Sequence, residues 1–171
     1  MTTEGRGMLD ETTQTLEPDF FQYLLSLEVK KAVRYLYFFS LAIVQSDLPI
    51  KGKGTKTEKN LLGNLASLIR QEVRETDTIG NVSPGKFFII LHQADAHAIM
   101  GVGNRIRERI EQYDFKVNGD KNRLTVSLGA ASFPLHANEL DALIQRAGLA
   151  LNKAKDSGGN KICLPGDEGT A

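Results

Sequence analysis

Side chains whose types and spacing could do chemistry concentrate in one stretch of this sequence. It runs Arg74-Glu75-Thr76-Asp77, then Thr78-Ile79-Gly80-Asn81-Val82-Ser83-Pro84-Gly85-Lys86-Phe87. Arginine presents a rigid donor fork that matches guanine O6 and N7 or a phosphate, and a carboxylate accepts from the guanine N1 and N2 hydrogens. Three residues apart at a helix end, Arg74 and Asp77 could face the same way and hold such a ligand. Taken alone, the same spacing more commonly means a surface ion pair worth about 0.2–0.5 kcal/mol. The turn Ser83-Pro84-Gly85-Lys86, where catalytic carboxylates would be sought, has none.

Other candidates give weaker signals. Lys51-Gly52-Lys53-Gly54-Thr55-Lys56 lies between a strand and a helix, the place of a phosphate loop, but it does not fit G-x-x-x-x-G-K-[ST] and reads as a solvated, flexible connection. The three histidines, His92, His97 and His136, lie in different segments without metal-ligand spacing and read as surface or turn residues. Cys163 reads as a small buried hydrophobe on a terminal strand.

The elements that must position these residues follow from periodicity. A helix is expected from Asp19 as N-cap, with Phe20, Tyr23, Leu24 and Leu27 on its apolar stripe and Lys30, Lys31 and Arg34 towards its end. Phe38 to Val44 reads as a buried strand. Thr55 and Glu58 form a capping box for a helix bearing Leu61, Leu62, Leu65, Leu68, Ile69 and Val73 and ending near Arg74. A strand, a type II turn at Pro84-Gly85 and a second strand, Phe87 to Leu91, follow. Asp95 caps a helix through Ile99, Val102, Ile106 and Ile110. Asn118-Gly119 is a turn, and Leu124 to Ala130 alternates as a strand. Asn138 caps a helix that stops at Ser157-Gly158-Gly159, and Lys161 to Leu164 forms a last short strand. Strands alternating with amphipathic helices, plus a hairpin, predict an α/β sandwich with a mixed sheet.

The chain of 171 residues reads as one domain over 19–165, with a disordered or loose lead-in over 1–18 and a tail over 166–171. Its 21 Lys and Arg balance 21 Asp and Glu, so no global basic field drives nucleic-acid binding and an anionic ligand must be held by a local cluster. One cysteine excludes an internal disulfide. No apolar run approaches the roughly 20 residues of a membrane span and no signal peptide opens the chain, so a cytoplasmic protein is expected.

Several motifs in order then carry a family resemblance, from about Phe21 to Ile162. Thr125-Val126-Ser127-Leu128-Gly129-Ala130 is similar to a T-V-S-I-G-V strand, and Ala147 to Asn160 to an A-D-x-A-L-Y-x-A-K-x-x-G-R-N ending. Arg74-x-x-Asp77 stands, with five residues between, before Ser83-Pro84-Gly85-Lys86-Phe87, at the place of a Gly-Gly-Asp/Glu-Glu-Phe signature. The chain resembles the GGDEF domains, which in active form are diguanylate cyclases making cyclic di-GMP from GTP. The resemblance implies a nucleotidyl-cyclase-like mixed sheet with a ferredoxin-like βαββαβ core flanked by helices.

It also implies what has been lost. The signature positions of a metal-binding acid and a catalytic glutamate hold Gly85 and Lys86. The other metal-binding Asp aligns with Gln45, with Asp47 two residues on. The guanine-reading Asn and Asp fall near Lys53 and Lys59. Of the closing phosphate-binding pair Lys155 stands, whereas the Arg is Gly159, and the D-x-L-T-G-L motif before the first helix is missing. No enzyme activity, catalytic residue, metal or cofactor is expected. The family's R-x-x-D inhibitory site implies instead a receptor that binds cyclic di-GMP through Arg74, Asp77 and Arg105. Lys31, or Arg34 as the alternative, would come from a partner chain in a ligand-promoted homodimer. Output would pass through an effector protein that the sequence does not name. The rival expectation is a protein-interaction scaffold indifferent to nucleotides.

Overall fold

The computed structural model describes residues 7–166. In chain order the elements are α1 (Pro18–Tyr35), β1 (Phe39–Ser46), α2 (Lys56–Glu72), β2 (Thr78–Ser83), β3 (Lys86–His92), α3 (Ala96–Gln112), β4 (Phe115–Val117), β5 (Asp120–Asn122), β6 (Val126–Phe133), α4 (Leu140–Asp156) and β7 (Ile162–Cys163). The main sheet has the order β2-β3-β1-β6-β7, antiparallel except for the parallel pair β6 and β7. This is the mixed α/β architecture with a ferredoxin-like βαββαβ core.

Strand alternation sorts the apolar side chains into two layers. Ala42 and Val44 of β1 join Phe87, Ile89, Leu128 and Ala130 on the face covered by α2 and α3, through Leu65, Ile69, Ile99 and Ile106. Phe39, Leu41 and Ile43 join Ile90 and Phe133 on the opposite face, under Phe21 and Leu25 of α1 and Leu143, Ala147 and Leu151 of α4. Each fully buried Ile, Leu or Phe contributes about 1.5–3 kcal/mol. An exposed ion pair such as Lys121–Asp114, at 3.5 Å, contributes under about 1 kcal/mol, so apolar burial holds these layers together.

Several boundaries differ from expectation, each for a local reason. Helix α1 starts at Pro18 rather than after an Asp19 cap, because proline is already set for the first helical turn; Glu17 precedes it with no side-chain cap. Helix α2 stops at Glu72, before Arg74. Thr55 does accept from the Glu58 N–H at 3.3 Å. The Glu58 carboxylate, however, takes the Gly52 and Gly54 N–H groups, both at 2.8 Å, instead of closing the box on Thr55. Asp95 caps α3 by accepting from the Ala98 N–H. The α4 cap position is Glu139, without a side-chain bond, and not Asn138. Phe38 is 44% exposed and lies outside β1. Strand β6 begins at Val126 and runs to Phe133, past the expected end at Ala130, because pairing with β1 extends to Phe39. The last strand shortens to Ile162–Cys163, where Cys163 is buried as expected. Asn118-Gly119 is indeed a turn, with φ of 52° and 87°, but it joins β4 and β5, a second hairpin that was not anticipated.

The lead-in was expected to be loose, and residues 8–17 are instead anchored. Asp10 Oδ1 accepts from the Thr13 N–H and hydroxyl, both at 2.7 Å. The Leu16 N–H donates to Ile79 O at 3.0 Å and Leu16 O accepts from the Asn81 N–H at 2.8 Å, so this segment covers the outer edge of β2. Residues 1–6 and 167–171, the rest of the expected lead-in and tail, lie outside the described residues.

Candidate ligand-binding cleft

The end of α2, the turn after it and the end of β3 are tied together by Asp77. Its Oδ2 accepts from the Arg74 N–H at 2.9 Å and its Oδ1 from the His92 N–H at 3.1 Å. The Asp77 N–H closes the turn on Arg74 O at 3.0 Å. The carboxylate thus serves backbone donors and not the Arg74 side chain, so the surface ion pair that the spacing allowed is not formed. The Arg74 guanidinium is exposed and has no polar partner among the described residues.

Arg105 reaches the same place from α3. Its Nε donates to Glu72 Oε2 at 3.3 Å and an Nη donates to Glu72 O at 3.4 Å; Arg109 Nε bonds the other Glu72 oxygen. Arg74, Asp77 and Arg105, with His92 and His97, line one cleft of about 280 Å³. Lys31 and Arg34, expected from a partner chain, lie on α1 and are not among those lining residues. Lys31 Nζ is 3.8 Å from Glu28 Oε2, and Arg34 lies over the Tyr35 ring at 5.6 Å.

Behind His92 is a group that sequence reasoning passed over. Glu28 of α1 is only 4% exposed. Its Oε1 accepts from the Tyr37 hydroxyl at 2.9 Å and faces His92 Nδ1 at 3.0 Å. Burial, then the hydrogen bond to Glu28 and the charge of that carboxylate, pushes the Tyr37 hydroxyl up to about 12. His92 was expected on the surface or in a turn; it stands instead between this buried carboxylate and the cleft. The available signal was a glutamate on a buried helix face, since Glu28 falls in step with Phe21, Leu25 and Ala32.

The turn between β2 and β3 has a different character. Gly85, at φ 77°, lies under Ile50, whose Cδ1 an added Cβ would meet at 2.9 Å; Gly52 lies against Pro84 in the same way, at 2.8 Å. The Lys51–Lys56 loop is therefore exposed yet held down over the turn, not a free connection. Lys86 pairs across the strands with Gln45. Asp47, one residue past β1, accepts from the Thr125 and Ser127 hydroxyls, both at 2.6 Å, and from the Asn160 N–H at 2.9 Å. A divalent cation needs free carboxylate oxygens. An ammonium, an amide, a glycine and a carboxylate already holding three donors do not fit one.

The sequence model of the family described as "Diguanylate cyclase, GGDEF domain" matches residues 50–161. Diguanylate cyclase A of Treponema denticola is 29% identical over 104 residues, which cover 61% of this chain and 28% of that protein. Diguanylate cyclase DosC of Escherichia coli (strain K12) is 29% identical over 163 residues, or 91% of this chain and 35% of that protein. The GGDEF domain of DgcB from Caulobacter crescentus, solved in complex with c-di-GMP, superposes with a TM-score of 0.85 at 19% identity, covering 98% of each chain. The chain belongs to the GGDEF domain family. It spans about a third of the length of the curated relatives it matches, 28% and 35%.

Proposed function

We propose that this chain is a catalytically inactive GGDEF domain that binds cyclic di-GMP at the Arg74–Asp77–Arg105 cleft and signals through a partner protein. The observation that carries this reading is convergence. Two arginines and an aspartate from the α2–β2 turn and from α3 meet around one cleft of about 280 Å³. The open Arg74 fork suits a guanine edge or a phosphate, and Arg105 adds a second cation. A carboxylate has about four acceptor positions, so Asp77 keeps capacity for guanine N–H groups beside its two backbone donors. In this reading the cleft seats one guanine and its phosphate. The other half of the ligand would extend past the rim, in keeping with a ligand-bridged second chain contributing Lys31 or Arg34.

The absence of turnover rests on the chemistry of the turn. Phosphoryl transfer from GTP requires Mg²⁺ to offset the triphosphate charge and carboxylates to hold it. Gly85, Lys86 and Gln45 supply no carboxylate, and Asp47 already holds three donors. The rival reading, a nucleotide-independent scaffold, draws on Tyr35 and Leu36, 65% and 90% exposed at the end of α1.

Calorimetric titration with cyclic di-GMP separates the two. Heat at tens of micromolar ligand, lost in Arg74→Ala, is expected. No heat, or unchanged binding by Arg74→Ala, sinks the receptor reading in favour of the scaffold. Cyclic di-GMP formed from GTP and Mg²⁺ would overturn the claim of inactivity.

A further inference from the structure

Glu28 is the only charged residue so deeply buried among the described residues, at 4% exposure. Burying a carboxylate is costly unless partners satisfy it, and apolar side chains pin a helix at least as well as a buried ion pair does. Its partners therefore say what it is for. A carboxylate only accepts, so the hydrogen in the 3.0 Å contact to His92 lies on Nδ1. That contact fixes the ring and its tautomer, and leaves Nε2 as its remaining polar atom. The imidazole is not sealed in: it is 32% exposed and lines the cleft with Arg74 and Arg105. The backbone N–H of the same residue holds Asp77 at 3.1 Å, so His92 also sets the position of that carboxylate.

We infer that His92 is a further ligand-contact residue of this cleft, and that Glu28 is the residue that positions it. Nε2 would meet the nucleotide surface that Arg74 and Arg105 also address. The inference rests on reading the cleft as a cyclic di-GMP site.

The test is a titration of ¹⁵N-labelled protein with cyclic di-GMP, followed on the imidazole nitrogens. His136 is the internal control, since its Nδ1 accepts from the Ser132 N–H at 2.9 Å and its ring hydrogen is therefore on Nε2. In the free protein His92 is expected as the opposite tautomer, with the hydrogen on Nδ1. Ligand should shift His92 Nε2 and leave His136 in place. His92→Ala should weaken binding about tenfold, the worth of one hydrogen bond to a charged group. Glu28→Leu, which leaves Nδ1 without an acceptor, should weaken binding and erase the Nδ1–H signature of His92. Should either variant fail to fold, the wild-type spectra decide alone. An unmoved His92 at ligand concentrations that saturate wild type but not Arg74→Ala overturns the inference and leaves the receptor reading standing. A wild-type protein that takes up no ligand overturns both.

Discussion

Asp47 and Tyr37 show how single polar groups near the two ends of β1 are held. Three donors converge on Asp47: two hydroxyls at 2.6 Å and the Asn160 N–H at 2.9 Å. Asp47→Asn would turn an amide N–H₂ towards donors that need an acceptor. We expect a loss of about 1–3 kcal/mol, read by urea denaturation. Tyr37 is governed by a shifted ionisation. Its folded value of about 12 lies above the ordinary 10.0, so the folded state holds this proton more tightly. The stabilisation is complete below pH 10 and is lost as pH rises through 12. Tyr37→Phe should cost about 1 kcal/mol at neutral pH, since Glu28 loses a donor. It should also flatten the fall in stability between pH 10 and 12, a window that stability measurements at stepped pH would report.

The seam between β6 and α4 decides how closely this helix can lie on the sheet. A Cβ on Gly129 would land inside van der Waals contact of Leu151 N and Ala147 O, which are backbone atoms and cannot swing away. Gly129→Ala should therefore destabilise by about 3 kcal/mol, towards the upper end of overpacking costs. Gly148, on α4 itself, has nothing within 4 Å of the same added atom. Gly148→Ala should stabilise by about 0.5–1 kcal/mol, the helix-propensity difference. The two glycines lie in neighbouring elements, and thermal melts should move in opposite directions. Nothing in the residues flanking either glycine signals this difference, because the close approach of helix and strand is a tertiary fact. By contrast, the Asp95 cap of α3 and the Pro84-Gly85 turn were legible, since each depends only on residues adjacent in the chain.

At the scale of the whole molecule, a net charge of zero means that no long-range field gathers anions, and in the receptor reading proposed above affinity comes from the cluster around Arg74. Ligand that binds only the folded state stabilises it by about 2.7 kcal/mol at a hundredfold excess over Kd. For a chain of this size that corresponds to a rise in Tm of roughly 5–10 °C. Cyclic di-GMP should give this shift and Arg74→Ala should abolish it. GTP with Mg²⁺ should give much less, since no acid in the β2–β3 turn holds the metal. An equal shift with GTP, in wild type and in Arg74→Ala alike, would place nucleotide binding away from this cleft.

Apolar periodicity marked the four helices, though not the β4–β5 hairpin, because burying one face of an element is a local pattern repeated every few residues. The order of motifs pointed to the family, and the residue types at 85 and 86 showed that the turn has no acid. Neither depends on coordinates. What the sequence left open for Arg74 and Asp77 was the choice between an ion pair and a ligand grip. Tertiary structure decided against the ion pair, since both Asp77 oxygens are taken by backbone N–H groups, one of them from the far end of β3. The same holds for Glu28 and His92. They meet only because α1 lies against the sheet and the antiparallel register of β3 with β1 sets His92 opposite Phe39. Contacts between residues so distant in the chain leave no local pattern to read, so the side chains that complete the cleft became visible only in the folded molecule.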